Sequence, residues 1–171
     1  MSRVGVGKMP IDDEYLIAVY DIGKTNKKFS LFTSDLKPIY GTSIRIEEKT
    51  IRGILCDDIG AIVGWMRKVL EGTPRRRDIR AIAVTTFGAT GVLLDEKGEL
   101  AFPVVSYNHE IEPGIRRKFY ETFGSPEKLY LRTGTPPYGQ LLNFGIQLYW
   151  HKEVRPKVYE RSKNILFLPQ Y

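Results

Sequence analysis

Apolar and polar positions divide this chain into short, separable units. An apolar run of strand length, Leu16 to Tyr20, ends at Asp21, and a second run covers Phe29 to Phe32. Gly23, Lys24, Thr25 and Asn26 lie between them, so residues 15–32 read as two strands of a hairpin joined by a glycine-containing turn. Pro38 to Ile46 sets Ile39, Gly41 and Ser43 against Tyr40, Thr42 and Ile44, an imperfect alternation that predicts a third antiparallel strand. The turn before it carries Ser34 and Asp35. Asp57 and Asp58 can cap a helix whose buried face is Ile59, Ile62, Val63, Met66, Val69 and Leu70, stopped by Gly72 and Pro74. Ile79 to Thr86 is nearly continuous in apolar residues, as expected of a strand covered on both faces.

The remainder alternates turn signals with short periodic segments. Val92 to Phe102 reads as a hairpin around Asp95-Glu96-Lys97-Gly98, and Pro103 to Tyr107 as another short strand. Pro113 to Phe123 and Pro126 to Leu131 read as helices ended by Gly124 and Gly134. After Pro136-Pro137, Leu141 to Lys152 and Val154 to Arg161 read as helices with Leu148 and Trp150 facing inward, Pro156 being tolerated near a helix start. Ile165 to Leu168 is a last strand. A meander followed by strand, helix and strand predicts an α/β fold with a mixed sheet and helices packed against it.

Composition narrows the class. At 171 residues the chain has room for one domain with a real core; residues 1–13 read as a loose leader and 14–171 as the domain. Its apolar share of 42% and charged share of 27% are those of an ordinary globular protein. No apolar run reaches membrane-span length, and the first residues lack the hydrophobic region of a signal peptide. Cys56 is the only cysteine and His109 and His151 the only histidines, which excludes a disulfide framework and a Cys/His zinc site. The cytoplasm is the expected compartment. The net charge of +6 gathers at Arg75-Arg76-Arg77, Arg116-Arg117-Lys118 and Lys152 to Lys163. Without a nucleic-acid-binding motif or an aromatic platform, these read as solvated helix ends and loops, and no nucleic-acid partner is expected.

Three stretches carry candidate chemistry. The turn Gly23, Lys24, Thr25, Asn26 clusters backbone amides, a hydroxyl, a carboxamide and a lysine, all donors able to face phosphate oxygens. Asp21 just before it could hold Mg2+ directly or through water. A P-loop is excluded, because position 18 is Ala and the residues after Thr25 read as strand. Gly5-Val6-Gly7 lacks the third glycine of a dinucleotide fingerprint and the strand before it. The second stretch is Thr85-Thr86-Phe87-Gly88-Ala89-Thr90-Gly91, a small loop at the end of a buried strand, where ligands of open sheets usually bind. The third is Ser106-Tyr107-Asn108-His109-Glu110. Each alone is also what an ordinary turn or strand exit looks like.

Taken together and in this order, Asp-Ile-Gly-Lys-Thr-Asn, Ala-Val-Thr-Thr-Phe-Gly-Ala-Thr-Gly, Pro-Val-Val-Ser-Tyr and Leu-Asn-Phe-Gly-Ile-Gln-Leu-Tyr-Trp resemble the FGGY carbohydrate kinases, most nearly the L-fuculose and L-rhamnulose kinase branch. The resemblance runs from about Tyr15 to the end. It implies a ribonuclease-H-like (actin-like ATPase) fold, of which these residues would be an incomplete N-terminal lobe. It implies ATP phosphates held at Gly23, Lys24, Thr25 and Asn26, with Asp21 helping to hold Mg2+. It places the sugar against Phe87, Gly88, Ala89 and Thr90 and against Tyr107 and Asn108, with Asn143 near the rim. Relatives usually carry Asp where Thr90 stands, Arg near Ile111 and Glu112, and often Trp at Tyr107. The general base and the adenine-gripping lobe are expected beyond Tyr171, so these residues alone should phosphorylate slowly or not at all.

The implied function is transfer of the γ-phosphate of ATP to a hydroxyl of a ketose such as L-fuculose or L-rhamnulose. Two other readings stay open. A nuclease of the ribonuclease-H superfamily would need further carboxylates converging on Asp21, and the next strand ends in Thr85-Thr86. A non-catalytic nucleotide- or sugar-binding module of the same fold is the other. An incomplete lobe should also expose apolar surface, which predicts a homodimer or contact with a missing C-terminal lobe.

Overall fold

The computed structural model describes residues 15–171; the expected leader, 1–13, lies outside them. Strands β1 (Leu16–Ile22), β2 (Asn26–Thr33) and β3 (Pro38–Arg45) form the expected meander. A short hairpin of β4 (Lys49–Ile51) and β5 (Ile54–Cys56) leads to helix α1 (Ile59–Glu71), after which β6 (Ile79–Thr86) returns parallel to β1. The main sheet is therefore mixed, in the order β3-β2-β1-β6. Helix α1 covers one face: Leu16, Ala18, Tyr20 and Ile22 of β1 and Phe29 and Leu31 of β2 pack with Ile62, Trp65, Met66 and Val69. Burying each such large side chain contributes about 1.5–3 kcal/mol. The Tyr20 hydroxyl keeps its hydrogen bond by donating to the Met66 carbonyl at 2.9 Å.

Strand β7 (Gly91–Leu94), helices α2 (Pro113–Phe123), α3 (Pro126–Thr133), α4 (Phe144–Val154) and α5 (Pro156–Arg161), and strand β8 (Asn164–Phe167) build the rest. Cys56, Val105, Ile111, Leu141, Ile146 and Trp150 form one further core, and Val92, Leu94, Val104 and Leu168 another. Among the described residues no helix is long and apolar enough to cross a membrane.

Several expectations are corrected. Strand β6 is not covered on both faces: Ile82 and Val84 are 55% and 54% exposed. They share the α1 side of the sheet with Ala18 and Tyr20 by register, but the helix sits over β1 and β2, and β6 forms a bare edge. The apolar run reported hydrophobicity correctly and cover wrongly. The hairpin read into Val92 to Phe102 keeps its turn, with Asp95 accepting from the Lys97 and Glu99 amides. Its second arm is only a bridge between Leu94 and Leu100, and β7 pairs instead with β8. Pro103 to Tyr107 is not a strand; Val105 makes a single bridge to Cys56. Only Asp58 caps α1, accepting from the Ala61 amide, and Val63 is exposed. Helix α4 begins at Phe144, not Leu141, and buries Ile146, Gln147, Trp150 and His151, leaving Leu148 half-buried.

Candidate functional site at the end of the main sheet

The hairpin bend comprises Gly23, Lys24 and Thr25, between Ile22 and Asn26. A Cβ on Gly23 would lie 2.8 Å from the Asn26 carbonyl oxygen, so the tightness of the bend demands glycine. Thr25 and Asn26 are exposed. Asp21 is exposed on the face opposite α1, in register with Lys28 of β2 and Thr85 of β6. Among the described residues no group of three His, Cys, Asp or Glu side chains could enclose a metal ion.

Lys24 behaves unlike its neighbours. Its side chain turns inward, and the ammonium donates to Asp57 Oδ1 at 2.6 Å and to Ser106 Oγ at 2.8 Å and forms an ion pair with Glu48 Oε1 at 2.7 Å. The same ammonium stands over two aromatic rings, 4.9 Å from the centroid of Phe87 and 4.6 Å from that of Tyr107. Cations are drawn to such ring faces, and the two rings meet edge to face at 5.8 Å. Ser106 Oγ donates to Glu48 and accepts from the Asn108 amide at 2.9 Å. A recess of about 120 Å³ lies beside this cluster, lined by Thr25, Ile46, Glu48 and Asn108 among others.

The charges around Lys24 are unequal. Burial pushes the Asp57 carboxyl above the usual range, with Lys24 only partly opposing it, and Asp57 Oδ2 is buried without a partner. Burial also acts to raise Glu48, but hydrogen bonds from Lys24 and Ser106 outweigh it and hold that carboxyl below its ordinary value. Lys27, only 2% exposed, is lowered by burial while Asp57 opposes; its ammonium donates to the carbonyls of Lys24 and Ile46 at 2.7 and 3.4 Å. Glu48, Asp57 and Lys27 were not anticipated as site residues. In sequence Asp57 reads as a helix cap, and Glu48 is not singled out at all.

The sugar-side candidates separate into two groups. Phe87, Tyr107 and Asn108 come together around Lys24, with exposed Gly88 following Phe87. The Ala89 carbonyl accepts from Gln147, and Thr90 is fully buried, its hydroxyl unpaired. Asn143 lies apart: its amide donates to the Pro136 carbonyl at 2.7 Å, and it lines a different cavity of about 410 Å³ with Tyr120, Leu129 and Phe144. His151 is pushed down to about 4, by burial first and Arg155 second, and burial pushes the Cys56 thiol up to about 11. Neither belongs to the cluster around Lys24.

No protein-family model matches the chain. A rhamnulokinase from Halalkalibacterium halodurans is 30% identical over 152 residues, 88% of this chain and 30% of the relative. An L-fuculokinase from Salmonella typhi is 33% identical over 90 residues, 53% of this chain and 18% of the relative. The chain thus spans less than a third of the length of these curated relatives. Among solved structures, a carbohydrate kinase from Novosphingobium aromaticivorans superposes with a TM-score of 0.77 at 28% identity, covering 93% of this chain and 32% of that one. A xylulose kinase from Rhodospirillum rubrum, at 20% identity and a TM-score of 0.70, shares the fold. Over part of their length the chain is thus a homologue of rhamnulokinases and L-fuculokinases, enzymes of the FGGY family, and it shares the actin-like fold of solved carbohydrate kinases.

Proposed function

We propose that this chain supplies the phosphate-binding bend and part of the sugar-binding wall of an ATP-dependent kinase that phosphorylates a hydroxyl of a ketose such as L-fuculose or L-rhamnulose. The observation that carries the reading is the placement of a glycine-tight bend next to an aromatic pair, Phe87 and Tyr107, drawn from two neighbouring loops. Phosphoryl transfer is mostly positioning and charge neutralisation, and a bend with exposed polar side chains at Thr25 and Asn26 beside an apolar-faced platform would provide for both substrates. Gly23, Thr25 and Asn26 would meet phosphate oxygens with backbone amides, a hydroxyl and a carboxamide. Phe87 and Tyr107 would take the apolar face of a sugar, and Asn108 would pair with its hydroxyls.

Asp21 fits a Mg2+ ion that arrives with the nucleotide. Magnesium keeps most of its water and is commonly held by one or two carboxylates plus phosphate oxygens, and Asp21 is a single exposed carboxylate at the strand end leading into the bend. When bound, the ion would neutralise phosphate charge. The cytoplasm remains the proposed compartment.

The test is calorimetric titration of the chain with ADP and Mg2+, and separately with L-rhamnulose, L-fuculose and D-xylulose. Gly23→Ala should weaken ADP binding at least about tenfold, since its Cβ would collide with the backbone of the bend. Undiminished ADP binding by this variant would remove the bend from the phosphate site.

A further inference from the structure

Lys24 stands in the bend that the proposed function assigns to phosphate, yet every polar contact of its ammonium is made elsewhere. It forms an ion pair with Glu48 in the β3–β4 connector and hydrogen bonds to Asp57 just ahead of α1 and to Ser106 at the start of the sugar-side segment. Its charge lies against the rings of Phe87 and Tyr107. Ser106, so held, accepts the amide hydrogen of Asn108, and Glu48 accepts from the Asn108 side chain at 3.4 Å. The three residues proposed to face the sugar are therefore all fixed by Lys24, directly or through one intermediary. The side chain is only 14% exposed, and a phosphate could gain this cation only by taking it from two carboxylates.

We infer that Lys24 is a positioning residue for the sugar side of the site and not a phosphate ligand. It orients Phe87 and Tyr107 and anchors the 106–108 segment to the hairpin, and this inference rests on the kinase reading above. Nearby basic groups do not share the role: Arg45 pairs with Glu47, and Lys27 is capped by backbone carbonyls.

The experiment measures ADP·Mg2+ affinity and ketose affinity side by side on the 171-residue chain, wild type, Lys24→Met and Lys24→Arg. Lys24→Met should lose about tenfold or more in ketose affinity while ADP affinity moves less than about threefold. Lys24→Arg, which retains charge and donors, should recover part of the ketose affinity, a rescue that a purely stabilising role would not produce. If Lys24→Met fails to fold, Lys24→Met combined with Glu48→Gln and Asp57→Asn replaces it, since no buried carboxylate is then left uncompensated. Loss of ADP affinity with ketose affinity intact would overturn the inference in favour of a phosphate ligand. Equal losses in both, tracking a fall in melting temperature, would overturn it in favour of a structural tie. If the wild type binds neither ligand, the kinase reading itself falls and the inference with it.

Discussion

Gly91 offers a sharp test of how the loop after β6 is held. An alanine there would put its Cβ 2.5 Å from Phe144 Cε2 and 3.2 Å from Gln147 Oε1. Carbon atoms at rest stand about 3.5–4.0 Å apart, so the Phe144 ring must retreat by roughly 1 Å. Phe167 of β8, paired with Gly91 in register, packs on the same ring at a centroid distance of 4.5 Å, so a retreat toward the cavity that Phe144 lines gives up that contact. Any accompanying shift at the start of α4 would carry Gln147 with it. That side chain accepts from the Gly91 amide at 2.9 Å and donates to the carbonyls of Ala89 and Leu141. Overpacking costs about 1–3 kcal/mol, and one lost buried hydrogen bond adds about 1 kcal/mol. Gly91→Ala should therefore destabilise by about 2–4 kcal/mol. Urea unfolding followed through the fluorescence of fully buried Trp150 reads this directly, as a midpoint lowered by about 1–2 M. Phe144→Ala should relieve the clash, so the double variant should lose at least about 1 kcal/mol less than the sum of the singles. A Gly91→Ala midpoint close to wild type, or simple additivity with Phe144→Ala, would refute the reasoning.

Two further outcomes follow from other features. The Asp57 carboxyl is raised on folding, so its contribution to stability is full below its unfolded value near about 4 and is lost as pH rises through the folded value. Asp57→Asn lacks this term, and its stability relative to wild type should improve between pH 4 and pH 7; urea midpoints that diverge in the opposite sense would contradict it. The bare edge at β6 should self-associate through Ile82 and Val84. Light scattering should show concentration-dependent growth that Ile82→Lys with Val84→Lys removes, and a wild type that stays monomeric at every concentration would count against the edge as the cause.

The hairpin and the third strand were legible in sequence because their pairing is local. From Tyr40 to Arg45 the strand pairs regularly with β2, and the imperfection in the pattern falls beside Ile39, where the register shifts. The two Pro-initiated, Gly-terminated helices α2 and α3 were legible for the same reason. The pairing of β7 with β8 was not, since Ile165 is distant in sequence, whereas the bridge from Leu94 to Leu100 is local. Nor was the cover over β6, because an apolar run states what could be buried but not what is there to bury it. In the candidate site, Gly23, Thr25 and Asn26 were singled out from a local turn pattern, and Phe87, Tyr107 and Asn108 through the family resemblance; the structure brings the last three together around Lys24. The nest around Lys24 was not legible, because it exists only where the bend, a connector, a helix start and a strand exit converge.

The pairing of β7 with β8 also governs when the site can take shape. As the polypeptide is synthesised, the meander and α1 can assemble early from neighbours in sequence. The loop from Phe87 to Thr90 cannot, because it is secured by Gln147 and by the Leu168 amide on the Thr90 carbonyl. Until those late residues emerge, Val92 and Leu94 have no strand beside them and stay available to other nascent chains. The loop from Phe87 to Thr90 is thus secured later than the meander, and is the more exposed of the two to mispairing on the way.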